Sequence, residues 1–199
     1  MKNGKKILAL LLCAVLLIVA SVAGTIAYLT DNQAVSNTFT VGNVSITMVE
    51  TKVNEYGVAL TGEEAGTTNE GNIYKLIPGH SYTKDPTIKV SENSEDCYIF
   101  VEIENDLGSD AALTMNENWE KVTENNNTSI WVYGTNDEPK AVGADDNAVV
   151  PFSSFTFDQY ADPELYENSS IDVTAYAIQT DTLENETAEA LWDMLKPQS

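Results

Sequence analysis

The chain has 199 residues, 31 acidic against 10 basic, a net charge of −21, one histidine and two cysteines. A surface this acidic repels phosphate backbones and anionic headgroups, which argues against nucleic-acid binding. A single histidine excludes H-E-x-x-H zinc chemistry, which needs two imidazoles one helical turn apart.

Lys2, Lys5 and Lys6 precede an uncharged apolar run from Ile7 to Ala23. This is the pattern of a helical secretion signal. Small residues recur at its end, and Thr25-Ile26-Ala27 offers a signal peptidase small side chains at −3 and −1. The expected cut lies between Ala27 and Tyr28, so residues 1–27 form the signal. An uncleaved anchor is the competing reading. Seventeen residues at about 1.5 Å each reach roughly 25 Å of an approximately 30 Å hydrocarbon core, and extension to Leu29 would span it. Cleavage removes three lysines and no acid, leaving seven lysines, 31 acids and a net charge of −24. Cys97 is then the sole cysteine, so no intramolecular disulfide forms and stability rests on a core. Cys97 reads as a small buried hydrophobe, with an intermolecular bridge as the alternative.

Tyr28 to Thr40 is polar, with isolated apolar residues at Val35 and Phe39; residues 28–42 read as an extended arm. Residues 43–199 read as one domain. Val41 to Glu50 alternates, with Val44, Ile46 and Met48 on one side, the signature of a half-buried strand. Residues 54–72 read as a long loop, and Pro78-Gly79 marks a turn. Thr87 to Val90 is a short strand. Cys97 to Glu104 is apolar on both faces, which predicts a central strand.

Trp119 to Val122 and Ser129 to Tyr133 flank a polar segment and read as a hairpin. Val149, Val150, Phe152, Phe155 and Phe157 fall at strand spacings. Ser170 to Gln179 is a clean alternating strand, with Ile171, Val173, Ala175 and Ala177 on one face. Ala188, Leu191, Trp192 and Leu195 form a helical stripe within 187–195, stopped by Lys196-Pro197. Seven to nine short strands and one terminal helix predict an all-β, antiparallel, jelly-roll-like sandwich behind a helical signal peptide.

The sequence holds no G-x-S-x-G elbow, phosphate-binding glycine loop or D-x-D-x-D-G calcium loop. His80, beside the turn, reads as a loop residue, and Trp119, Trp131 and Trp192 read as packing residues. The acid clusters read as solvated faces. No catalytic residue, cofactor or metal ligand is nominated.

The block Gly24-Thr25-Ile26-Ala27-Tyr28-Leu29-Thr30-Asp31, followed by Asn37-Thr38-Phe39-Thr40-Val41-Gly42-Asn43-Val44-Ser45-Ile46, resembles the export signal and N-terminus of the TasA/camelysin (CalY) family. Leu76-Ile77-Pro78-Gly79-His80-Ser81-Tyr82, Asp85-Pro86, and Thr174 to Gln179 running into Ala188-Glu189-Ala190-Leu191-Trp192 extend the likeness. The family consists of bacterial surface and biofilm-matrix proteins processed by the signal peptidase SipW. The resemblance implies a jelly-roll sandwich and, for fibre-forming members, donor-strand exchange, in which the arm of one subunit completes a sheet of the next. Tyr28, Leu29, Val35 and Phe39 would supply that arm, and Thr25, Ala27 and Tyr28 the cleavage site. The implied partners are further copies of the chain, other matrix proteins and a SipW-type peptidase. Membrane contact would be confined to the signal before cleavage. The implied role is a secreted, non-enzymatic fibre subunit outside a bacterial cell. A monomeric or tethered surface binding module is the alternative. The metallopeptidase label carried by some camelysin relatives is not transferred, because this chain has one histidine.

Overall fold

The computed structural model describes residues 39–41 and 43–196, with side chains from Asn43 onward. Its strands, in chain order, are β1 (Phe39–Val41), β2 (Ile46–Thr51), β3 (Thr67–Thr68), β4 (Ser81–Thr83), β5 (Thr87–Val90), β6 (Cys97–Asn105) and β7 (Ala111–Met115). They continue with β8 (Trp119–Asn125), β9 (Thr128–Tyr133), β10 (Ala141–Val142), β11 (Phe152–Phe157) and β12 (Ile171–Gln179), and helix α1 (Ala188–Leu195) follows. The large sheet runs β1-β12-β6-β9-β8, with β10 also paired to β6. Two smaller sheets, β3-β2-β5 and β4-β11-β7, supply the remaining strands. Ile88 and Val149 exchange backbone hydrogen bonds of 2.9 and 2.8 Å, linking β5 to the segment that leads into β11. The result is the expected all-β sandwich with one short C-terminal helix.

Two cores explain the sequence pattern of β6. Cys97, Ile99, Val101 and Ile103 enter one core with Tyr82, Ile88, Phe152, Phe155 and Phe157. Tyr98 and Phe100, on the opposite face, enter a second core with Ile130, Val132, Tyr176, Ile178 and the Ala188, Leu191 and Leu195 stripe of α1. A strand covered on both faces has no reason to alternate, and each fully buried large side chain contributes about 1.5–3 kcal/mol. Thr187 caps the helix by accepting a hydrogen bond from Ala190 N, which satisfies one of the free N–H groups of the first turn.

The expected strand from Val41 to Glu50 divides. Val41 ends β1 in the large sheet, and Ile46 begins β2 in a smaller one. The alternation is real on the β2 side, where Val44 and Ile46 are buried. Period-two patterning carries no information about a crossing between sheets. The loop expected over 54–72 contains β3, and strands β4, β7 and β10 were not anticipated. They are short or poor in β-branched and aromatic residues, so local preference hardly marks them. At the Pro78-Gly79 turn, Gly79 has φ +76° and His80 N donates to Ile77 O at 3.0 Å; the left-handed backbone there favours glycine.

Candidate functional site

The two ends of the large sheet differ in what lies beside them. At one end β12 pairs antiparallel with β6 along all nine residues, from Ile171↔Asn105 to Gln179↔Cys97. On its other side β1 pairs in parallel over three positions, Phe39↔Tyr176, Thr40↔Ala177 and Val41↔Ile178. Among the described residues, no other strand lies on that side of β12. Among the described residues, Ile171 to Ala175 therefore has no strand on this side, over a stretch in unbroken register with β6. Such an edge offers backbone N–H and C=O groups to an added strand.

The edge is rigidly supported. Ile171, Val173, Ala175 and Ala177 sit in the inter-sheet core, while Tyr176 and Ile178 are buried beneath α1. Trp192 stacks edge-on against Tyr176, with centroids 5.1 Å apart. The Tyr176 hydroxyl donates to Glu102 Oε2 at 2.6 Å. Burial, followed by that carboxylate, pushes the hydroxyl well above the usual tyrosine range. Asp172 is the one charged side chain of the strand, and Ser170 Oγ donates to it at 2.6 Å.

The opposite end, β8, is closed off. Its register shifts between Lys121 and Thr123, and a bulge of this kind spoils an edge for further pairing. Asn136 Nδ2 donates to the Lys121 carbonyl at 3.0 Å and to Glu120 Oε1 at 3.1 Å, while Asn136 N donates to Glu120 Oε2 at 2.9 Å. Lys121 and Glu124 form an exposed 2.7 Å ion pair beside it.

Of the residues read from the sequence as functional, Phe39 falls in β1 against Tyr176. Thr25, Ala27, Tyr28, Leu29 and Val35 lie outside the described residues. The Tyr56 carbonyl accepts from His80 Nε2 at 2.9 Å, and the His80 ring packs edge-on against Tyr82 at 4.6 Å. Trp119 is buried and meets Tyr133 edge-on at 5.5 Å. Both border an open cleft of about 770 Å³ that also takes in Glu117, Lys140 and Asp146. Cys97 is fully buried, and that burial pushes its thiol up to about 12. Among the described residues, no group of three or more His, Cys, Asp or Glu side chains is placed to hold a metal ion. None of the described helices is long and apolar enough to cross a membrane.

A buried polar cluster escaped the sequence reading. Lys84 Nζ lies 2.7 Å from Glu50 Oε1, and both residues are only 7% exposed. Asn72 Nδ2 donates to the other carboxylate oxygen, Glu50 Oε2, at 3.3 Å and to Thr51 O at 2.9 Å. Val53 N donates to Asn72 Oδ1 at 3.0 Å. One signal was present: the alternation that turns Val44 and Ile46 inward also turns Glu50 inward. Its cation is 34 residues away, a distance that no local pattern spans.

Comparison with protein-family models, curated proteins and solved structures gives no match to this chain.

Proposed function

We propose that the chain is a secreted structural protein, a non-enzymatic subunit of an extracellular biofilm-matrix or surface fibre assembled by donor-strand exchange. The observation that supports this reading is the edge of β12, along which the described residues of β1 pair in parallel at three of the nine positions. In this reading the arm of a second copy takes the β1 position along β12 and continues past it to Ile171. A donor that keeps the β1 register sets its Val35 beside Asp172 and its Phe39 beside Tyr176. Backbone hydrogen bonding supplies the affinity, and side chains on alternate positions supply the register. Arm and acceptor are different surfaces, so the contact is heterologous and propagates.

A SipW-type peptidase cutting between Ala27 and Tyr28 would release the arm from the membrane. The partners are then further copies of the chain, together with other matrix proteins. The net charge of −24 expected after cleavage keeps unassembled subunits apart until arm and edge meet.

Removing residues 28–40 from the mature protein tests the reading by sedimentation. The expected product is a folded monomer that no longer forms large assemblies. Assemblies of unchanged size and yield would overturn it.

A surface binding module is the second reading, favoured by the cleft beside Trp119 and Tyr133. An aromatic pair edged by Lys140, Glu117 and Asp146 has the mixed character of a small polar-ligand site.

A further inference from the structure

We propose that Lys84 and Asn72 become joined by an isopeptide bond that the protein forms by itself, with Glu50 carrying the protons. The cluster places three groups of the right chemistry on one carboxylate. The Lys84 amine lies on Glu50 Oε1 at 2.7 Å, and the Asn72 amide lies on Glu50 Oε2 at 3.3 Å. A primary amine and a carboxamide can condense without any activating reagent if the amine is made neutral and the leaving nitrogen is given a proton. Glu50 touches both nitrogens and can serve each need.

The surroundings favour the step. Lys84 and Glu50 are each 7% exposed, so the pair lies largely out of contact with bulk water. Asn72 Oδ1 already accepts a hydrogen bond from Val53 N at 3.0 Å. That is the oxygen on which negative charge builds when the amide carbon becomes tetrahedral, and a preset N–H at that point stabilises it. Tyr74 lines the cluster and donates from its hydroxyl to Thr83 O at 2.8 Å. Its ring packs edge-on against Tyr82 at 5.5 Å and Phe155 at 5.3 Å. Asp85 fixes the end of β2 by accepting from Thr51 N at 2.8 Å and Thr51 Oγ1 at 2.6 Å.

The chemistry balances within the cluster. Glu50 takes a proton from the Lys84 ammonium, and the Nζ lone pair attacks Asn72 Cγ while the carbonyl electron pair moves to Oδ1. Glu50 returns its proton to Nδ2, the Cγ–Nδ2 bond breaks, and ammonia departs as the carbonyl re-forms. The surplus proton on Nζ passes through the same carboxylate to the ammonia. One C–N bond forms and one breaks, ammonium is released, and Glu50 ends as it began. Nothing is oxidised or reduced. For the attack the Nζ turns from Oε1 towards Cγ about its four-carbon stem.

A covalent tie at this point has a structural use independent of the fibre reading. The sole cysteine remaining after the expected cleavage is buried Cys97, so a disulfide within the domain is not open to it. The new bond would fasten the segment bearing Asn72 to the residue immediately after β4.

Intact mass spectrometry of the purified, secreted wild-type protein is the test, and it requires no variant. The expected mass is lower than that of the processed sequence by one ammonia. After denaturation and trypsin, the segment 53–75 should appear joined to 76–89, with no cut after Lys84. Glu50→Gln and Asn72→Ala should each restore the full mass. A full wild-type mass with normal cleavage after Lys84 would overturn the proposal, as would an ammonia loss that persists in Asn72→Ala.

Discussion

The β12 and β8 ends belong to one sheet, yet their edges are built differently. β8 carries a register shift, a side chain that occupies the Lys121 carbonyl and an exposed ion pair, the devices by which sheets avoid edge-to-edge association. β12 is unbroken over nine residues, carries one charge and is backed by a core on each face. Exposure of an edge therefore does not by itself make an interface. What separates the two is whether an incoming strand would find an uninterrupted ladder on a support that does not yield.

The strongest challenge to this contrast is a peptide. A synthetic peptide of residues 28–41, added to mature protein lacking its arm, is expected to bind in equal proportion and to slow hydrogen exchange over Ile171–Ala175. A scrambled peptide should not bind. Protection over Trp119–Asn125 instead would reverse the assignment of the edges.

Removing the support behind β12 comes next in size. Leu191→Ala takes a fully buried side chain out of the second core and should cost about 2–5 kcal/mol in denaturant unfolding. Exchange should quicken in β12 and β6 more than in β8.

Alkaline titration probes the same supported end, because Cys97 pairs with Gln179 at the end of β12. Folding lifts the thiol from about 9 to about 12, so the unfolded chain releases this proton first as pH rises. The sign is destabilising: stability is intact below about pH 9 and falls by about 1.4 kcal/mol per pH unit until about pH 12. Cys97→Ala should remove that part of the slope in urea melts. Native Cys97 should also resist thiol reagents at pH 8 and react fully once unfolded.

The smallest effect belongs to the guarded edge. Asn136→Ala loses two side-chain hydrogen bonds but also removes Oδ1, which is buried with no hydrogen-bond partner. The net cost should be about 1 kcal/mol. Faster exchange confined to β8 would show that the guard acts locally.

Much of this architecture is legible in the residues. β6 and β12 announce themselves because burial on both faces demands near-continuous apolarity, and α1 does so through a stripe at helical spacing. β7 is not legible, since Ala111-Ala112-Leu113-Thr114-Met115 lacks the branched and aromatic side chains that mark strands. The proposed acceptor edge is legible only as half of a pair: the polar segment with Val35 and Phe39 suggests an arm, but which strand receives β1, and that they run in parallel, depends on contacts far apart in sequence. The same holds for Glu50, Asn72 and Lys84. Inward alternation marks the carboxylate, while its two partners come from loops whose positions tertiary packing decides.

The parallel run of β1 along β12 has a mechanical consequence. A strand peeled from one end gives up its hydrogen bonds one at a time, whereas a strand pulled along its own axis loads all of them together. Tension applied along the axis of β1, which lies lengthwise on β12, would load the junction in shear. Only the four residues 42–45 then separate β1 from β2, and the force passes at once from one sheet of the sandwich to the other.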